Sequence, residues 1–250
     1  MLHGYGRDIE SSIFWDGLAS FEPTTIPWWS ELSKRSTYIF DIGANTGIYS
    51  LISKTLNPNA EVHAFEPLVR IYSILEDNFQ LNNFNGVAPS IKAHRMALSD
   101  YSGVGEMYDL PVEHMYTASL NRNIHLERNP DGMQSIQESV QVMRLDEFLQ
   151  KNNIQRVDLI KIDVESHEAA VISGMGKCLR SFQPTMIVEI WNNEVGAAVE
   201  EVLDDCGYYF FSLAEVQPVQ TQHIRNDLPD NGFVNYLLCT PKMAVELGLL

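Results

Sequence analysis

The chain has 250 residues, of which 45% are hydrophobic, and this is enough for one domain with a sizeable core. Its 17 basic and 33 acidic side chains leave a formal net charge of −16. That charge repels a phosphate backbone and no basic patch stands out along the chain, so nucleic acid is not expected as a partner.

The first third of the chain alternates helical patterns with short apolar runs. Residues 1–36 are interpreted as a helical lead-in that caps the core, with the apolar anchors Ile9, Ile13, Phe14, Leu18, Trp28, Trp29 and Leu32. The segment TYIFDIG predicts a first strand, and TGIYSLISKTL predicts a helix with one apolar face. EVHAFEP predicts a second strand, and the helix after it has an apolar stripe made of Leu68, Ile71, Leu75 and Phe79.

The rest of the chain continues this pattern around one long insertion. SIKAHRMALSD predicts a third strand, and the segment from Tyr101 to about Gln137 is predicted to be irregular. Further strands are predicted at SVQVMRL, RVDLIKIDVE and TMIVEIW, and helices at DEFLQKNN, HEAAVISGM and EVGAAVEEVLDDCG. The last two strands, YYFFSL and FVNYLLCT, should pair antiparallel because no helical pattern separates them. Residues 37–250 are therefore predicted to form a single α/β domain, with a substrate-shaping insertion at about 101–140.

The turn after the first predicted strand is the expected ligand site, because open parallel sheets bind ligands beyond the carboxyl ends of their strands. Gly43 and Gly47 would let the backbone approach a ligand, and Glu66 would accept both hydroxyls of a ribose. The segment GANTG lacks the glycine pattern that holds a pyrophosphate, and Asp41 brings negative charge. A cationic nucleoside such as S-adenosylmethionine is therefore favoured. The alternative is that both glycines only permit tight packing and that Asp41 caps the helix.

In this order, the segments FDIGANTGIYSL, VHAFEP, MALSD, VDLIKIDVESHEAAVISG and IVEIW resemble the FkbM-type S-adenosylmethionine-dependent methyltransferases. The resemblance covers about residues 38–191. It implies a Rossmann-like class I fold, with a mostly parallel seven-stranded sheet, a C-terminal antiparallel hairpin and helices on both faces. It also implies O-methylation of a hydroxyl on a saccharide or secondary metabolite.

The resemblance also assigns a cofactor site. The cofactor-binding residues would be Asp41, Gly43, Ala44, Asn45, Thr46, Gly47, Glu66, Pro67, Ala97, Leu98, Ser99, Asp100 and Asp163. The first turn would line the methionine portion, Glu66 would bind the ribose, and residues 97–100 would border the adenine. The chain departs from the family at Ser166, where a glycine is usual.

A base near the sulfonium would assist an alcohol acceptor, because an alcohol is a poor nucleophile. The candidates are Asp163, Glu165 and His167, which follow one predicted strand. Alternation along a strand would send Asp163 and Glu165 to the same side as a carboxylate pair. The alternative is that Glu165 caps the next helix and that Lys161 pairs with an acid.

Three other possibilities stay open on the sequence alone. Asp163 and Glu189, with Asn192 and Asn193, offer oxygen ligands of the kind that hold Mg²⁺, although no metal site is predicted. A nicotinamide-dependent oxidoreductase shares the strand, glycine turn, helix and later acid, but the loop lacks a third glycine. A catalytically silent module could also retain the nucleoside pocket.

The cysteines and the N-terminus bear on location. Cys178, Cys206 and Cys239 are odd in number and widely spaced, which favours reduced thiols over a disulfide framework. The N-terminal segment has no continuous apolar stretch, so no signal peptide or membrane anchor is expected. A cytoplasmic location is predicted.

Overall fold

The computed structural model describes residues 13, 15–82, 91–109, 118–120, 135–228 and 232–250. The predicted anchors Ile9 and Phe14, and much of the predicted insertion, lie outside these ranges. A short 3-10 helix spans Leu18–Ser20. The α-helices with bounds inside the described ranges are α1 Ile26–Arg35, α2 Ile48–Leu56, α3 Val69–Leu81, α4 Leu145–Lys151, α5 Glu168–Ser173, α6 Lys177–Phe182, α7 Asn193–Leu203 and α8 Pro241–Glu246.

The strands form two sheets. Their bounds are β1 Tyr38–Ile42, β2 Glu61–Phe65, β3 Ile91–His94, β4 Ala97–Ser99, β5 Gly103–Asp109, β6 Ile136–Arg144, β7 Leu159–Ile162, β8 Thr185–Ile190, β9 Tyr209–Ser212, β10 Val219–Thr221 and β11 Val234–Cys239. In the described residues the main sheet has eight strands in the order β10-β9-β11-β8-β7-β1-β2-β3. A smaller sheet has the order β4-β6-β5.

The main sheet confirms the predicted Rossmann-like α/β fold. The five strands from β8 across to β3 pair parallel, in the register Ile39 to Val62 and Ile39 to Leu159 around the central strand. The closing strands β9 and β11 pair antiparallel as predicted, and β11 also runs antiparallel to β8. Seven of these strands match the expected sheet, and the short β10 adds an eighth at the edge.

Two local predictions were wrong. The predicted third strand is divided, because the His94 carbonyl accepts hydrogen bonds from Met96 N and Glu66 N, and the chain turns there. Only β3 stays in the main sheet, while β4 pairs with β6 in the smaller one. The segment after Tyr101 is also not irregular throughout, since β5 pairs antiparallel with β6 along its whole length.

Helices cover both faces of the main sheet, as predicted. One face buries residues of α4, α5, α6 and α7 against the strands. The other face buries residues of α1, α2, α3 and α8, among them Trp29 and Leu32 of the lead-in, which are 0% and 2% exposed. Within the described ranges, no helix combines the length and the apolar character needed to cross a bilayer.

Candidate active site

A cavity of about 430 Å³ lies beyond the carboxyl ends of the parallel strands. The chain leaves β1 toward β2 on one side and leaves β7 toward β8 on the other, so the switch point of the sheet lies between β1 and β7. Ligands bind at this point in open α/β sheets. The residues directly after these strands, Gly43, Glu66 and Asp163, all line the cavity. Its volume is within the range of small-molecule sites, about 300–1,000 Å³.

The two glycines of the first turn are required by the packing around them. Gly43 has φ +79°, and a Cβ there would lie 1.8 Å from the carbonyl oxygen of Asp163. Gly47 has φ +91°, and its Cβ would lie 2.6 Å from the Leu75 side chain. Part of the alternative interpretation is therefore correct, since both glycines permit tight packing. Gly43 also lines the cavity, whereas Gly47 does not.

Glu66 and Asn45 form one wall of the cavity. The Glu66 carboxylate accepts hydrogen bonds from Leu68 N at 3.0 Å and from Asn45 N at 3.3 Å. Burial raises the pKa of Glu66 to about 7 despite these two donors. The Asn45 backbone is left-handed at φ +51°, and its buried Oδ1 has no hydrogen-bond partner within the described part of the chain. A ligand that donates a hydrogen bond would satisfy this oxygen.

The Asp41 carboxylate is bound to the start of α2. It accepts hydrogen bonds from Ser50 N at 3.0 Å and from Ser50 Oγ at 2.7 Å, in the first turn of α2. The residue is buried and does not line the cavity. Burial raises the pKa of Asp41 to about 6, although the Ser50 hydrogen bonds oppose that shift. The carboxylate thus supports the start of the helix, as the alternative interpretation held.

The turn after β7 is held by Glu168 rather than by Glu165. Glu168 is fully buried, and its Oε1 accepts hydrogen bonds from Ser166 N at 3.0 Å and from Val164 N at 3.3 Å. Burial raises the pKa of Glu168 to about 7. Glu165 and Ser166 both have left-handed backbones, with φ of +57° and +70°. Such strain in residues other than glycine concentrates at functional sites.

Asp163 and Glu165 are not alternate positions of one extended strand, contrary to the prediction. The strand β7 ends at Ile162, and the left-handed backbone of Glu165 breaks the extended pattern. Both residues nevertheless line the cavity. The alternative for Lys161 is confirmed, since its Nζ lies 3.3 Å from Asp163 Oδ2.

Lys161 is a buried cation close to several acids. It is 1% exposed, and burial alone would lower its pKa. The nearby carboxylates of Asp163, Glu22 and Glu189 overcome this effect and raise the pKa of Lys161 above its usual value. Burial raises the pKa of Glu189 well above its ordinary value, and the charge of Asp163 raises it further. One fixed positive charge therefore faces several carboxyl groups.

His167 lies at the opposite wall, against β4. Its Nε2 is 2.8 Å from Ser99 Oγ, and Ser99 Oγ in turn donates to Asp100 Oδ1 at 3.1 Å. Burial lowers the pKa of His167, while Asp100 opposes the shift. Because the imidazole is held by Ser99, its position is fixed relative to the predicted adenine border.

The structure brings most of the predicted site residues to one cavity. The predicted residues that line it are Gly43, Asn45, Glu66, Pro67, Ala97, Leu98, Asp163, Glu165 and His167. The predicted residues that do not line it are Asp41, Ala44, Thr46, Gly47, Ser99 and Asp100. In this second group, Ala44, Thr46 and Ser99 are buried in the surrounding structure.

Several lining residues were not predicted as part of the site. Phe21 and Glu22 come from the lead-in, and Trp191 and Phe233 form an aromatic wall with ring centroids 6.0 Å apart. No motif surrounds Phe21 or Glu22, so sequence patterns offered no signal for them. Glu189, which the sequence offered only as a possible metal ligand, lies with Trp191 at the end of a parallel strand, where a ligand site is expected.

The magnesium alternative lacks support. Across the described residues, no group of three His, Cys, Asp or Glu side chains is arranged to hold a metal ion. The two amides considered as ligands have other partners, since Asn192 caps α7 and Asn193 Oδ1 accepts from Asn226 N.

The fold and the site together define a class I methyltransferase. The METTL16 methyltransferase domain has the same fold, with a TM-score of 0.50 and 13% identity over 89% of this chain and 68% of that one. The family model described as "Methyltransferase FkbM domain" matches residues 41–210. The chain therefore belongs to the FkbM family of S-adenosylmethionine-dependent methyltransferases, which confirms the resemblance and argues against the nicotinamide-dependent alternative.

Curated relatives are similar over about two thirds of the chain. The 31-O-demethyl-FK506 methyltransferase FkbM of Streptomyces tacrolimicus is 28% identical over 72% of this chain and 75% of its own length. Methyltransferase sdnD of Sordaria araneosa is 26% identical over 68% and 73%. The hexuronic acid methyltransferase AglP of Haloferax volcanii is 27% identical over 64% and 58%.

A solved relative is much longer. The methyltransferase FkbM of Methylobacillus flagellatus KT aligns with a TM-score of 0.49 and 13% identity over 81% of this chain. The chain spans less than half of that protein, since only 43% of the longer chain is covered.

Proposed function

We propose that this chain transfers the methyl group of S-adenosylmethionine to a hydroxyl oxygen of a saccharide or secondary metabolite. The family membership supports the use of this cofactor. The names of two relatives support the acceptor classes, since one acts on a demethylated FK506 and another on a hexuronic acid.

The single observation that carries the proposal is the charge of the cavity. Five carboxyl residues line it, and no lysine or arginine is among its lining residues in the described part of the chain. Such a cavity disfavours a phosphorylated nucleotide and favours a cationic one. The five acids are Glu22, Glu66, Asp163, Glu165 and Glu189.

The residues present fit S-adenosylmethionine. The Asn45 Oδ1 atom is a buried acceptor without a partner in the described residues, and an ammonium group would satisfy it. The absence of a side chain at Gly43 leaves room for close approach. Glu66 offers a carboxylate to the ribose hydroxyls. When bound, the cofactor supplies a methyl group on a cationic sulfur.

The chain's own contribution is to position the acceptor and exclude water. Phe21, Trp191 and Phe233 provide apolar ring surface, which suits the faces of sugar or macrolide rings. Met107, Ala118 and Leu120 come from the insertion at about 101–140, and their place in the wall supports a role for that insertion in acceptor choice. A site that excludes water and holds the acceptor oxygen in line with the methyl group favours the displacement reaction. The two reactants are then already positioned, so the step no longer depends on a bimolecular encounter.

The proposed acceptor is a small molecule or saccharide with little negative charge, because the cavity is lined by acids. A cytoplasmic location is part of the proposal, and it is supported by the three cysteines, all of which are free. Nucleic acid and membrane surfaces are not proposed as partners.

Two measurements test the proposal. Isothermal titration with S-adenosylmethionine should show binding, and a Glu66→Gln variant should bind more weakly. Four acceptor probes would then be incubated with cofactor carrying a deuterated methyl group, and the products would be detected by mass spectrometry. The probes are methyl glucoside, methyl rhamnoside, glucuronic acid and 31-O-demethyl-FK506. Labelled methyl ether from a neutral probe is expected. Binding without turnover of any probe would favour the silent nucleoside-binding module instead.

A further inference from the structure

Glu22 reaches the cavity from the lead-in through an unusual backbone conformation. It follows the short 3-10 helix at Leu18–Ser20 and has φ +42°, in the left-handed region that favours glycine. Phe21 and Glu22 both line the cavity. A strained residue other than glycine persists where its surroundings hold it in place, and such residues cluster at functional sites.

Two different elements fix the Glu22 carboxylate. Its Oε2 accepts hydrogen bonds from the Tyr49 hydroxyl at 2.5 Å and from Asn235 Nδ2 at 2.7 Å. Tyr49 lies in α2 and Asn235 in β11, and both residues are buried. The carboxylate is therefore held by the core of the domain, although its own backbone precedes α1.

The other acids of the cavity have competing roles. Asp163 is already paired with the buried Lys161, whose Nζ lies 3.3 Å from its Oδ2. Burial and the neighbouring charge of Asp163 raise the pKa of Glu189 well above its ordinary value. Glu66 accepts two backbone N–H groups and is the ribose ligand in the proposed function. Burial also raises the pKa of Glu22, while the charge of Lys161 and the Tyr49 hydrogen bond limit that shift.

We propose that Glu22 is a catalytic residue that accepts the proton of the acceptor hydroxyl, an inference that depends on the proposed function. The acceptor oxygen forms a C–O bond to the methyl carbon while the C–S bond of the sulfonium breaks. The electron pair of that bond stays on sulfur, and the hydroxyl proton moves to Glu22. The products are a methyl ether, a neutral thioether and a protonated carboxyl group, so atoms and charges balance.

Two variants separate proton transfer from structural support. Glu22→Gln keeps the size of the side chain but removes its basicity, and we expect the turnover of the best neutral probe to fall about 100-fold or more. Glu22→Gly suits the left-handed backbone and leaves space for a small carboxylate. Added formate should restore turnover in the Glu22→Gly variant and should have no effect on wild-type enzyme.

The controls test whether each variant still folds and still binds the cofactor. Glu31→Gln changes an exposed glutamate of α1 that pairs with Lys34 and Arg35, and it should match wild type in every assay. Titration of the two Glu22 variants with S-adenosylmethionine should show saturable binding, weakened no more than in Glu165→Gln, which removes one charge from the same cavity, and their thermal unfolding should show a cooperative transition. Glu165→Gln is compared in parallel, because Glu165 is the other unassigned acid of the cavity.

Each outcome of these experiments either supports or overturns the proposed role of Glu22. Loss of turnover at saturating cofactor, together with rescue by formate, would support the role of Glu22. Wild-type turnover in Glu22→Gln, or a loss confined to Glu165→Gln, would overturn it, as would a folded Glu22→Gly variant that binds the cofactor but is not rescued. If wild-type protein does not bind S-adenosylmethionine, or binds it without methylating any neutral probe, the proposed function fails first and the role of Glu22 fails with it.

Discussion

Glu66 should make cofactor binding depend on pH, and replacing it with glutamine should remove that dependence. Burial raises the pKa of Glu66 to about 7, so its carboxyl group is close to half protonated at neutral pH. Only the ionised form can accept hydrogen bonds from both ribose hydroxyls with its two oxygens. Binding therefore favours the carboxylate, releases a proton near neutral pH, and weakens as the pH falls through about 7.

The size of the effect follows from that pKa. About nine in ten Glu66 side chains are ionised at pH 8 and about one in ten at pH 6, so the apparent dissociation constant should rise about tenfold between them. At pH 8 the Glu66→Gln variant loses hydrogen bonds to a charged group, each worth about 1.5–3 kcal/mol. Losing one such bond weakens binding about 10- to 150-fold.

Isothermal titration at several pH values measures both quantities, and buffers of different ionisation enthalpy count the protons released. Asp41 and Glu168 titrate in the same range, with pKa values raised by burial to about 6 and about 7. Neither lines the cavity, so the Glu66→Gln variant isolates the contribution of Glu66. If the variant keeps the wild-type pH dependence, Glu66 is not the group that links binding to pH, and its assignment to the ribose is wrong.

Three further substitutions test the structure around the site. Gly43→Ala would place a Cβ 1.8 Å from the Asp163 carbonyl oxygen, and the left-handed backbone adds about 1–2 kcal/mol, so both melting temperature and cofactor affinity should fall. Wild-type affinity in a folded Gly43→Ala protein would contradict the close approach. Ser50→Ala removes the 2.7 Å hydrogen bond to buried Asp41 and should lower the free energy of unfolding in urea by about 1–3 kcal/mol, with unchanged cofactor affinity. A comparable loss of affinity would mean that Asp41 reaches the ligand. Ser166→Gly relieves a φ of +70° and should raise the free energy of unfolding by up to about 1 kcal/mol, and a decrease would show that the serine side chain stabilises the turn.

The main sheet was predictable because its strands are apolar and its site residues are local to strand ends. Strands buried on both faces, such as β7 and β8, are short continuous apolar runs. Once parallel strands are assigned, the residues after them must meet at one edge of the sheet. Gly43, Glu66 and Asp163 could therefore be placed in one site from the sequence alone.

The smaller sheet was not predictable from local patterns. The pairing of β5 with β6 joins Gly103 to Val142, across a long stretch of chain. The division of the third predicted strand depends on the His94 carbonyl, which accepts two backbone hydrogen bonds. The spacing of hydrophobic residues shows neither which strands pair nor which hydrogen bonds a carbonyl group accepts.

The direction of a side chain was also hidden from the sequence. Asp41 stands beside the glycine turn, but only the structure shows its carboxylate bound to Ser50. Glu22 lies in a segment without a recognisable pattern, and its approach to the cavity depends on contacts with Tyr49 and Asn235. In both cases the paired residues are far apart in the chain or on opposite sides of a turn, so the sequence does not show that they are in contact.

Acids other than Asp41 line the cavity wall, where their negative charge would favour a cationic ligand. Among these acids, Glu22, Asp163 and Glu189 come from three separate parts of the chain. The buried Lys161 offsets one carboxylate and is not itself at the wall, so a phosphate entering the cavity would meet no compensating cation among the described lining residues. We therefore attribute the proposed selectivity for a cationic ligand to a group of acids that only the folded chain brings together, and not to the one aspartate in the turn.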